Sequence, residues 1–137
     1  MTLGYRGEGV FFSKTAAEDV TKGDVARINS DDETEQCGTS DDDPVGVFGE
    51  DADQGEQVAI VVHGVVGVTA QEAVSGGDAV QPSDTTAGQV DTLSDSVDVG
   101  TGNVNHNQRL GTALEDIAAD EAGDVFVNVG AAGENTA

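Results

Sequence analysis

The stretch Val58-Ala-Ile60-Val-Val62-His63-Gly64-Val-Val66-Gly67-Val68-Thr-Ala70 decides the fold class. Its apolar residues alternate, and a period of two belongs to a strand, not to a helix. Two strand geometries compete. A two-residue hairpin at His63-Gly64 would place Val62 and Val65 on a face that continues with Gly67 and Thr69, a poor surface to bury. A strand that runs through has one face of Val58, Ile60, Val62, Gly64, Val66, Val68 and Ala70, apolar throughout. The stretch therefore predicts one long strand bent at Gly64, with His63 on the opposite side.

The same period recurs at Val125, Val127 and Val129. Val and Ile dominate the apolar positions, as strands prefer, and the 19 glycines punctuate the chain at turn spacing. Thr15 to Asp19 and Leu114 to Ala119 are the best helical candidates, and neither carries a full amphipathic stripe. The expectation is an all-β domain of about eight short strands.

Marking the strands exposes an internal repeat. Val20-Thr-Lys-Gly23-Asp24-Val25-Ala26 is echoed by Val74-Ser-Gly-Gly77-Asp78-Ala79-Val80. Val45-Gly46-Val47 followed by Glu50-Asp51-Ala52 is echoed by Leu110-Gly111-Thr112 followed by Glu115-Asp116-Ile117. Each copy ends in a turn and a valine-rich strand. Neither half could bury a core alone, so the two predict one small β-sandwich or β-barrel built from a duplicated β-unit. The expected organisation is an N-terminal arm over residues 1–13 and a single β domain over 14–137, with the repeat at approximately 20–70 and 74–130. Asn29 to Asp43 and Asp84 to Asn107 read as long acidic loops between the paired motifs.

Charge narrows the setting. The chain of 137 residues carries 27 Asp and Glu against 5 Lys and Arg, a net charge of -22. A folded monomer of this mass exposes roughly 6,600 Å², so about one uncompensated negative charge stands on every 300 Å². Nucleic acid and anionic membranes are poor partners for such a surface. A disordered acidic tail would concentrate the charge, whereas these acids run from Glu8 to Glu134 between apolar triplets. The pattern fits a protein that works in multimolar salt, where the Debye length shrinks to about 3 Å and self-repulsion largely disappears. No apolar run approaches a membrane span and the first residues lack a signal-peptide core, so a soluble protein made inside a cell is expected.

The residues that catalysis or metal binding would need are sparse. His63 and His106 are the only histidines, and no HExxH, paired His or Cys cluster accompanies them. Asp51-Ala-Asp53-Gln-Gly55-Glu56 looks in part like a calcium loop, but Gly55 holds the third ligand position and no Glu follows at the required distance. Asp31-Asp32-Glu33 and Asp41-Asp42-Asp43 read as solvated loop acids. Val99-Gly-Thr-Gly-Asn103 lacks the Lys and the strand-to-helix setting of a phosphate loop. The single Cys37 has no CxxC partner and reads as a tolerated loop thiol. No enzyme activity, cofactor or metal is expected.

The order and spacing of the motifs resemble the small capsid-cement, or head-decoration, proteins of tailed viruses. The matching residues are Gly23-Asp24-Val25, Val45-Gly46-Val47, Glu50-Asp51-Ala52, Gly55-Glu56-Gln57-Val58, Gly64-Val65-Val66, Gly77-Asp78-Ala79-Val80, Leu110-Gly111, Ala113-Leu114-Glu115-Asp116 and Gly123-Asp124-Val125. They extend over roughly residues 5 to 130. The resemblance implies a structural virion protein on the outer surface of the capsid, made in the host cytoplasm, with the major capsid protein and its own copies, as a homotrimer, for partners. With the acidity it implies a tailed virus of a halophilic archaeon. A different class of function, a halophilic soluble or surface β-sandwich binding a glycan or a host cell, is the alternative. The scarcity of aromatic residues, which glycan platforms use, argues against it.

Two surfaces are expected to carry the binding. Residues 1–27 hold Arg6, Lys14, Lys22 and Arg27 against Glu8, Glu18, Asp19 and Asp24 and are net zero, so the remainder carries all of the -22. A capsid from the same salt would itself be acidic, and like charges oppose docking. The neutral end, with Leu3, Tyr5, Arg6, Val10, Phe11 and Phe12, is therefore the expected capsid interface. It reads either as an arm that orders on contact or as the first strand of the domain. Val61 and Val65 alternate away from the predicted core face, as does Phe126 between Val125 and Val127. These three are the expected oligomer interface.

Overall fold

The computed structural model describes residues 5–38, 43–83, 85–93, 96–98, 103–105 and 109–129. These residues form eleven strands and no helix: β1 (Tyr5–Thr15), β2 (Val25–Ile28), β3 (Thr34–Gln36), β4 (Gly46–Phe48), β5 (Gln57–Thr69), β6 (Ala79–Pro82), β7 (Val90–Thr92), β8 (Ser96–Asp98), β9 (Asn103–Asn105), β10 (Gly111–Ala113) and β11 (Ala122–Asn128). Nine of them make one curled antiparallel sheet, a half-barrel in the order β3-β2-β4-β5-β11-β10-β6-β7, with β1 also paired to β5. β8 and β9 pair separately. The all-β expectation holds. The segments read as loops carry β3, β7, β8 and β9, three-residue strands with at most one valine each, too short to give a periodic signal, which form by pairing with neighbours.

β5 runs unbroken through Gly64 as the spine of the sheet. It pairs with β1 along one edge, and with β4 at Ile60 and Val61 and β11 from His63 to Thr69. Its faces, however, change over. Val58 and Ile60 belong to one core, while Val61 packs with Val66 and Val68 in the other. The cause is a bulge: β1 pairs Val10 with His63 and then Phe11 with Val61, so Val62 is an extra residue that inverts the alternation. The expected single apolar face from Val58 to Ala70 is thus two half-faces on opposite sides.

The two wings of the sheet curl toward each other and are clasped at Gly88, whose carbonyl accepts from Val25 N at 3.0 Å and whose N–H donates to Cys37 O at 2.9 Å. The larger core lies between them, with Val25, Val47, Val61 and Cys37 from one wing against Val66, Val80, Val125 and Val127 from the other. Cys37, read as a loop thiol, is 1% exposed in this core, because its N–H bonds to Val25 O and so extends the β3 edge inward. The smaller core holds Ala16, Val20, Ala26, Phe48, Ala52, Val58 and Ile60.

Duplication is visible bond by bond. Gly23 N donates to Phe48 O as Gly77 N donates to Ala113 O. The Val20–Ala52 bridge matches Val74–Ile117, and the parallel bridge Ala16–Thr34 matches Ala70–Val90. Asp51 accepts from Lys22 N and Asp116 from Gly76 N, both at 2.8 Å. Glu50 and Glu115 each accept from the strand that follows, at Ala59 N and Asp124 N. Gly23 and Gly77 turn at φ +93 and +94, a conformation that favours glycine. Even the strand register repeats, since Phe11↔Val61 in the first unit corresponds to Val65↔Phe126 in the second. β5 serves both units, as the last strand of one and the first of the other.

Candidate binding surfaces

β1 places the predicted capsid residues. Among the described residues it pairs with β5 alone, so it is an edge strand with backbone groups open on its outer side. The register shift between Val10 and Phe11 sets its side chains. Val10 is 58% and Phe11 54% exposed, the largest exposures among the big apolar residues described, while Phe12 packs on the smaller core. Tyr5 and Arg6 lie on the strand opposite Val66 and Val65. Leu3 lies outside the described residues. The arm boundary expected at residue 13 falls inside β1. Two of the four basic side chains near this end are already paired, Lys14 with Asp32 and Arg27 with Glu35, each at 2.6 Å.

The second surface is the outer face of the second repeat. Val61, expected there, is instead 1% exposed in the larger core, since the bulge turns it inward. Val65 and Phe126 do share the outer face, directly opposite each other and partly exposed. The row continues across the sheet to Thr112 and Ala79, and Leu93 extends it by donating its N–H to Ala79 O at 2.8 Å. His63 is exposed beside it and meets the Phe126 ring edge-on at a centroid distance of 5.0 Å.

Leu114, 53% exposed, stands at the border of this face. It donates its N–H to Asp124 O as Gly49 donates to Ala59 O, so the two positions correspond. A Cβ on Gly49 would meet Val61 Cγ2 at 3.4 Å, and Val61 holds in the first repeat the register position that Phe126 holds in the second. Sequence reasoning missed Leu114, Ala79 and Leu93. The signal was present in the repeat, whose alignment sets Ala79 on Val25 and Thr112 on Val47.

The acidic turns are committed to the backbone. Besides Asp51, Asp116, Glu50 and Glu115, Glu56 accepts from Asp53 N and Asp19 from Gln54 N. Among the described residues no three His, Cys, Asp or Glu side chains group as metal ligands would. Burial pushes the Asp24 carboxyl above the ordinary Asp value, partly offset by the Gln36 amide donating to it at 2.9 Å, and the nearby Asp51 raises it further.

A duplicated half-barrel whose turn acids bond to the backbone thus presents two surfaces for contact, an open edge strand and an apolar outer row. The model of the phage cement protein family matches residues 5–131, and the chain belongs to that family, with a structural role at the virion capsid. No curated protein matches the sequence. Among solved structures, the N base of head fiber gp8.5 in bacteriophage phi29 is similar, with a TM-score of 0.60 and 17% identity over 88% of this chain and 95% of that one. At that identity the likeness is one of fold.

Proposed function

We propose that the protein docks on the outer surface of an assembled capsid, bridges neighbouring major-capsid subunits and does so in molar salt, as a homotrimer on the virion of a tailed virus infecting a halophilic archaeon. The observation that supports this reading best is β1: an edge left unpaired among the described residues, with Val10 and Phe11 exposed, in an N-terminal segment that is net zero over residues 1–27. Such an edge can extend a sheet of the capsid by main-chain hydrogen bonds, with alternate side chains seated in pockets. Leu3, Tyr5 and Arg6 would lengthen the contact. Each bridge adds buried apolar area between capsid subunits and so opposes the outward pressure of the packaged genome. Synthesis in the host cytoplasm and addition to a finished shell follow from the same reading. Cosedimentation of the purified protein with undecorated capsids in molar KCl tests it. Saturable binding is expected, and failure to pellet with capsids would overturn it.

A further inference from the structure

The two repeats make a contact within the chain that one copy leaves incomplete at both ends. In the first repeat the row Phe11, Val61, Val47, Val25 runs across the sheet to Cys37, and its last four residues are at most 1% exposed because the core of the second repeat packs over them. The corresponding row of the second repeat is Val65, Phe126, Thr112, Ala79 and Leu93. Among the described residues nothing covers it to that degree, and all five stay partly exposed. Conversely, the second-repeat face that does the covering includes Val66, Leu110 and Val127, all buried. Their first-repeat counterparts, Phe12, Val45 and Val62, lie partly exposed at the edge of the smaller core.

We propose that the protein associates head to tail with a second copy of itself, the Val65–Phe126 row of one copy packing on the Phe12–Val45–Val62 face of the next. The contact between copies thereby repeats the contact between repeats. Charge favours this over pairing of like faces. The Val65–Phe126 row is bordered by Asp124 and Glu115, whereas the other face has Lys14, ion-paired with Asp32, beside Phe12, and Val45 and Val62 bring no charge of their own. Two second-repeat faces placed together would set acids against acids. A heterologous contact closes into a ring when its rotation allows, as a trimer requires. The proposal does not depend on capsid binding, so the two can fail separately.

Variants with one added cysteine test it in molar KCl with a short bismaleimide, which the buried Cys37 does not reach. Leu114→Cys marks one face and Val45→Cys the other, and Lys14→Cys replaces the latter should Val45→Cys not fold. Cross-linked dimer is expected from the mixture of the two variants and not from either alone. Leu114→Asp should reduce the mass seen by light scattering to that of one subunit while the circular dichroism spectrum is unchanged. Cross-linking within Leu114→Cys alone would show a self-paired face and overturn the proposal. So would a wild-type protein that stays monomeric at millimolar concentration and gives no cross-link in the mixture.

Discussion

Phe11→Ser separates binding from folding, because Phe11 is half in and half out of the domain. An aromatic side chain can bury about 200 Å², so an exposure of 54% leaves roughly 100 Å² for a partner to cover. At about 25 cal/mol per Å² that area is worth about 2.5 kcal/mol on the capsid, or about a 70-fold change in Kd. The part already buried contributes less to folding, since area taken from an extended chain overstates the gain, and the variant should lose about 1 kcal/mol of stability. For a domain of this size that is about 4 °C in Tm. Phe12→Ser should invert the pattern. Phe12 packs on the smaller core, and removing it should cost about 3 kcal/mol. The assay is cosedimentation with undecorated capsids over a range of protein concentration in molar KCl, beside thermal unfolding of each variant. Binding by Phe11→Ser within threefold of wild type, with its fold intact, would refute β1 as the docking edge.

Three further outcomes are expected. Diluting KCl from molar to about 0.1 M lengthens the Debye length to about 10 Å, so the -22 should abolish cooperative unfolding; an unchanged spectrum and Tm would refute the high-salt reading. Gly111→Ala would set a Cβ 2.0 Å from Phe126 O and 3.0 Å from Val127 Cα, backbone that cannot swing away, so a loss of about 3 kcal/mol or more is expected. Gly67→Ala meets nothing within 4 Å and should be neutral or gain about 0.5 kcal/mol, so equal effects of the two in urea unfolding would contradict the close approach of β10 to β11. Asp24 holds its proton to higher pH in the folded chain than in the unfolded one, so its contribution to stability falls as pH rises above the ordinary Asp value and the deficit is full at neutral pH. Asp24→Asn keeps an acceptor for Gln36 and should raise Tm at pH 7, with the difference vanishing at about pH 3.5; a difference independent of pH would exclude that origin.

Much of the fold was legible because it is written in side-chain alternation and turn chemistry, both local. The period of two around Val58 and Val125, and the Gly-Asp turns at Gly23 and Gly77, need no partner to be recognised. β3, β7, β8 and β9 escaped notice because three residues with at most one valine among them carry no period, and such strands exist only where a neighbour offers hydrogen bonds. Cys37 was misread for the same reason: its burial is set by a bond to Val25 across the sheet, not by the polar residues that flank it. At the N-terminus the pair Phe11 and Phe12 was legible as a cluster, but which of the two faces outward depends on the register with β5.

That register carries the main lesson about the surfaces. With strict alternation, Val61 and Val65 fall on one face, and both were expected outside. One extra residue at Val62 moves Val61 into the larger core and leaves Val65 beside Phe126. The same inversion turns the back of the first repeat into the inside of the half-barrel while the back of the second repeat stays outside. A duplicated unit without the bulge would expose two equal apolar rows. With it, one row is covered within the chain and the other stays partly exposed. The asymmetry between Val25, Val47 and Val61, all at most 1% exposed, and the partly exposed Ala79, Thr112 and Phe126 therefore follows the change of face in β5. Two halves built on one plan present different faces because a single strand, β5, belongs to both and changes face as it passes from one to the other.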